Sequence, residues 1–202
     1  MEDGILFYWF SWILWIIVTF FMRKGRNRLV FASCILLSII VSSITISIYS
    51  LFTISFTFIV LFLYSLVILA NLSNHMKLTF ASATISICYI ALLIWEKVSP
   101  VWMIFPRIII FAFIIGFVAI ILSNQFYVRI ATTLFGMNIG EVIYSFIWYR
   151  YGVLEEVGDL VFLDTLFTLL LLLTILAILQ KGKQRITLFL NHYKQSMRWQ
   201  VK

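Results

Sequence analysis

Charge is what this chain has least of. Only 11% of its 202 residues are Asp, Glu, Lys or Arg, where water-soluble domains carry about 25%. Against that, 63% are hydrophobic and the mean hydropathy is +1.09, too much apolar surface for a soluble domain of this length to hide. The chain is therefore read as an integral membrane protein. Cysteine is scarce too: Cys34 and Cys88 lie in apolar runs with no CxxC pairing, which argues against a disulfide or a metal site and for small buried hydrophobes. His75 sits in a short loop with no second ligand at metal spacing, so no metal and no cofactor are expected. The start lacks a basic stretch and a small-residue cleavage site, and the first apolar run is expected to stay as an anchor. Catalytic signatures are missing as well: no HExxH, no GxSxG, no second intramembrane Asp for an aspartyl dyad, and no glycine-rich phosphate loop after a strand. Glu155 and Glu156 lack the downstream arginine and histidines of a membrane prenyl protease. A non-enzymatic protein with no catalytic residues is expected.

What is present is a series of near-continuous apolar runs of about 20 residues, where barrel strands would alternate over about ten. Lipid offers the backbone no hydrogen-bond partners, so each run must close its own bonds as a helix. The fold class is an all-α, polytopic transmembrane bundle of seven crossings, near residues 5–22, 29–47, 52–70, 78–95, 101–122, 127–149 and 160–179. No strands are expected, and a tight turn near Tyr49 to Leu51 joins the second and third crossings. The formal charge of +7 does not point to nucleic acid, because the cations gather at helix ends. Arg23, Lys24, Arg26, Arg28, Lys77, Arg129 and the six Lys/Arg of the tail fall on one side, and Lys97 and Arg150 on the other. The N-terminus is thus placed outside and the C-terminus in the cytoplasm of a multi-pass plasma-membrane protein. In the tail, 181–202, Ile186, Phe189, Leu190, Tyr193 and Met197 recur at helical spacing with Lys194 and Arg198 between them. This predicts a basic amphipathic helix lying on anionic lipid headgroups.

Two helices carry small and polar faces: Cys34, Ser38, Ser42, Thr45 and Tyr49 on the second, and Thr79, Ser82, Ser86 and Tyr89 on the fourth. Such faces favour close backbone approach and inter-helix hydrogen bonds. The sixth run, Tyr127 to Tyr149, is the anomaly around which the rest is organised. It holds Gly136 and Gly140 as a GxxxG packing pair, Asn138 beside them, and Glu141 about 12 Å from its outer end. A carboxylate in hydrocarbon costs roughly 2.5 to 3.5 kcal/mol, so it needs a partner or a function. Arg107, about six residues inside the fifth crossing, and Asp164, about four inside the seventh, fall at similar depth. The expectation is a buried cluster of Arg107, Glu141 and Asp164. It acts either as a static clamp between helices five to seven, or as a polar pocket open outward in which a carboxylate exchanges its partner for a cation or polar ligand.

The opening Tyr8–Lys24 motif, YWFSWILWIIVTFFMRK, together with the seven-crossing plan and total length, resembles the YphA-like family of small bacterial membrane proteins. The similarity spans the whole chain. It implies a bacterial plasma-membrane location, brings no biochemical activity and carries over no site residues. The leading expectation is an envelope or assembly factor acting through helix contacts with a membrane-protein partner. The rival is a small-molecule or ion transport component using a pocket around Glu141; substrate-binding subunits of vitamin-type transporters are of comparable length.

Overall fold

A computed structural model of the chain describes residues 4–21, 25–42, 44–48, 52–99, 101 and 105–200; for 26, 27, 30, 31, 34, 37, 47, 48, 52, 184–186 and 188–200 it describes the backbone alone. Readings made for Arg23, Lys24, Tyr49, the Cys34 thiol and the tail side chains from Ile186 to Arg198 except Thr187 lie outside this description. Among the described residues seven helices form: α1 Ile5–Phe21, α2 Arg26–Val41, α3 Phe56–Ala70, α4 His75–Val98, α5 Arg107–Leu122, α6 Phe126–Arg150 and α7 Leu160–Gln200. Three of them are long and apolar enough to cross a membrane, over His75–Val98, Phe126–Arg150 and Leu160–Lys183. The other four have 15 to 17 residues, or about 22 to 26 Å at 1.5 Å per residue, short of a hydrocarbon core of about 30 Å.

Strands replace the expected helical ends at 45–47 and 52–55, on either side of the tight turn expected near Tyr49 to Leu51, which lies outside the described residues. β1 Thr45–Ile48 pairs antiparallel with β2 Phe52–Ser55, and β3 Glu156–Val157 adds in parallel to β2 through Thr53 and Ile54. The physical reason is local. TISI and FTIS are dense in β-branched and aromatic residues, which fit a pleated surface better than a helix, so α2 ends at Val41, six residues short of the expected boundary. A second correction falls on the fifth helix. It starts at Arg107, directly after Pro106, because proline cannot donate to a helical turn and ends the segment before it. Arg107 therefore stands at a helix start and not six residues inside. A third concerns the tail, which is the uninterrupted continuation of α7 to Gln200.

Cross-links fix which helix ends meet. Tyr8 Oη and Ser42 Oγ lie 2.9 Å apart, Gly4 N donates to Asp164, β2 pairs with β3, Arg107 reaches Glu96, and Lys97 reaches Glu155. The starts of α1, α3, α5 and α7 thus share one end of the bundle with the ends of α2, α4 and α6. Successive helices alternate in direction, and the sheet lies at that end. The core runs through Phe7, Ile85, Tyr89, Phe111, Ile115, Met137, Phe162, Leu166 and Leu169, all buried. Helix α6 is the most enclosed of the three long helices, and its most extensive partner is α4.

Candidate functional site

The α4–α6 contact explains how a carboxylate comes to be held in the interior. A Cβ placed on Gly136 would stand 2.7 Å from the Ser82 carbonyl oxygen and 2.9 Å from Ile85 Cβ; one on Gly140 would stand 2.9 Å from Tyr89 Cδ1 and 3.4 Å from Ser86 Oγ. The two glycines therefore let the α6 backbone sit on the small-residue face of α4. One residue beyond Gly140, Glu141 is brought within reach of Tyr89, whose hydroxyl donates to Oε2 at 2.7 Å. The ring of Tyr89 packs edge-on against Phe111 and Phe162. The backbone N–H of Gly158 faces the same carboxylate. Glu141 is 6% exposed, and it lies nine residues from the end of α6, or about 14 Å.

Glu141 forms the floor of a cleft of about 440 Å³ lined by Leu93, Glu96, Lys97, Arg107, Tyr144, Glu155, Glu156 and Asp159. Five of the eight carboxylates in the chain converge here, with two cations, although the chain as a whole is strongly basic. Both cations are engaged at the rim. Arg107 Nε lies 3.2 Å from Glu96 Oε2 without being aimed as a hydrogen bond, and its guanidinium covers the Phe111 ring at 5.4 Å. Lys97 pairs with Glu155 and stands over the Trp148 ring at 5.3 Å. The Tyr144 phenol faces Glu155. The loop from Tyr151 to Asp159 closes one side, pinned by β3 and by Asp159 Oδ1, which accepts from Phe162 N at 2.6 Å and caps α7.

The expected cluster of three charges is thus divided. Arg107 and Glu141 share the cleft, and Arg107 spends its short contact on Glu96. Asp164 is elsewhere: its two oxygens accept from Gly4 N at 2.9 Å and Phe7 N at 2.6 Å. It caps α1 from a neighbouring helix, satisfying N–H groups that the first turn leaves orphaned and lying at the positive end of that helix's dipole. Replacing Asp164 by Ala removes both acceptors; the expected cost is about 2 kcal/mol, seen as faster proteolysis within α1, with Asn intermediate. Unchanged protection of α1 would contradict the capping role. Asn138 is fully buried, and among the described residues neither amide atom has a hydrogen-bond partner. At the other end of α6, Arg129 holds the Ser123 carbonyl oxygen through Nε at 3.2 Å and Nη2 at 2.9 Å.

The sequence shows Tyr89 as part of a packing face and Glu96, Lys97 and Glu155 as outer-loop residues, and nothing in it singles out Tyr144. The usable signal was the charge itself: in a chain so poor in it, the Glu96–Lys97 pair and the run Glu155, Glu156, Asp159 are conspicuous.

A protein-family model described as YphA-like integral membrane protein matches residues 3–199. Among curated proteins, the chain is similar to "Uncharacterized protein YphA" of Bacillus subtilis (strain 168), at 24% identity over 159 residues, covering 78% of this chain and 79% of that protein. No solved structure matches.

Proposed function

Since the chain belongs to the YphA-like integral membrane protein family, we propose that it is a plasma-membrane binding component for a small cationic solute, which it takes into the Glu141 cleft as part of transport or sensing. The observation that carries this reading is the gathering of five carboxylates and two already engaged cations around one cleft in a basic protein. A cavity with low-dielectric walls and an excess of one sign concentrates counter-ions of the other. A static clamp is less well supported, because the hydrogen-bond donor to Glu141 is the Tyr89 phenol and not a cation. In this reading all seven helices cross or enter the bilayer, the sheet end faces outward, and the basic far end of α7 rests at anionic headgroups.

The test uses the full chain in detergent micelles, with thermal unfolding followed by tryptophan fluorescence. Ammonium, methylammonium and sodium chlorides are added at constant ionic strength, balanced with choline chloride. At saturation a bound cation should raise the midpoint by about 5 °C. Glu141→Gln should abolish the rise. If no small cation gives a saturable shift, the binding reading fails and an assembly role through helix contacts takes its place.

A further inference from the structure

The cleft already contains an ammonium group. Lys97 Nζ is paired with the Glu155 carboxylate and stands over the face of Trp148, 5.3 Å from the ring centroid. The Tyr144 phenol faces the same carboxylate. Carboxylate, aromatic face and phenol together make the surroundings that suit an alkylammonium, by charge, by N–H donation and by cation–π attraction. Lys97 is tethered at the last turn of α4, and its side chain is 47% exposed while that of Glu155 is 20% exposed. The guest is therefore covalently attached but not sealed in, and solvent reaches it.

We propose that Lys97 is a built-in competitor for a primary-ammonium site, and that the natural ligand of the cleft is a small primary amine whose ammonium displaces the Lys97 head from Glu155 and Trp148. This deepens the cation-binding reading and rests on it. Displacement is a plain exchange of one protonated amine for another; no bond is made and no proton changes hands. The released Lys97 swings outward on its flexible four-carbon stem. Arg107 does not compete for the same place, since its guanidinium is committed to Glu96 and Phe111. A tethered group acts at an effective concentration in the millimolar range or above. Wild-type affinity for a free amine is accordingly held down, and removing the tether releases it.

The experiment measures 1-aminobutane binding to the full chain in micelles by titration calorimetry, for wild type, Lys97→Met and Glu141→Gln, with butyltrimethylammonium as a cation that has no N–H. Lys97→Met should bind 1-aminobutane about ten-fold or more tightly than wild type, with little gain for butyltrimethylammonium. A second measurement needs no substitution. In wild type carrying carbon-13 at lysine Cε, the Lys97 signal should start displaced by the Trp148 ring current and move to the position of a free lysine as 1-aminobutane saturates. Equal or weaker binding by Lys97→Met, or a Lys97 signal that stays displaced at saturation, overturns the proposal while Glu141-dependent binding remains. Absence of binding by every form overturns this proposal and the cation-binding reading together.

Discussion

Replacing Gly158 by Ala should lower the unfolding midpoint by about 10 °C, the equivalent of roughly 4 kcal/mol, and should abolish cation-dependent stabilisation. Two costs combine. Gly158 has φ +74, a left-handed conformation that costs an L-residue about 1 to 2 kcal/mol. Its added Cβ would also stand 2.4 Å from Phe58 Cβ, and an atom next to the backbone cannot rotate away. Phe58 is 4% exposed, packed edge-on to Phe162 and stacked with Phe62, so neighbours block its retreat. The functional loss follows because the Gly158 N–H faces Glu141; moving the loop changes the polar surroundings of the buried carboxylate. Gly152 supplies the control. Its φ is +77, and a Cβ there meets nothing within 4 Å. Gly152→Ala should therefore show the conformational cost alone, about 1 kcal/mol, with binding intact. Equal losses at both positions would mean that the contact with Phe58 does not matter.

How far the site was legible in the sequence depends on the range of the interaction. Membrane class and helix positions come from composition and run length, which act locally, and α4, α6 and the span in α7 follow from them. The GxxxG pair on α6 and the Ser82–Ser86–Tyr89 face on α4 are each visible alone. Their meeting is not, because any small face can pack on any other, and nothing in either segment names its partner. Asp164 shows the same limit from the other direction. Depth counting placed it level with Glu141, yet depth leaves the rotation of a helix undetermined, and Asp164 turns to the start of α1. The strands were missed for another reason: in an apolar chain a TISI–FTIS hairpin has the same hydropathy as the helices around it, and β-branching was the only mark of difference.

The two glycines of α6 should separate stability from binding. Alanine is a better helix former than glycine by about 1 kcal/mol, so without a steric conflict either replacement would stabilise the protein. At Gly136 the conflict is with backbone: the Ser82 carbonyl oxygen at 2.7 Å and Ile85 Cβ at 2.9 Å yield only if α4 and α6 move apart. Gly136→Ala should cost a net 2 to 3 kcal/mol, roughly 6 to 9 °C in midpoint, and Gly136→Leu should prevent accumulation. At Gly140 the first obstacle is a side-chain atom, Tyr89 Cδ1 at 2.9 Å, and the ring can tilt. That ring carries the hydroxyl 2.7 Å from Glu141 Oε2, and tilting it withdraws the donor from the floor of the cleft. Gly140→Ala should thus lower the midpoint by less than half as much as Gly136→Ala, yet forfeit the greater part of the cation-dependent shift. The reverse order, with binding lost at Gly136 and kept at Gly140, would show that helix separation governs the cleft and that the Tyr89–Glu141 bond does not.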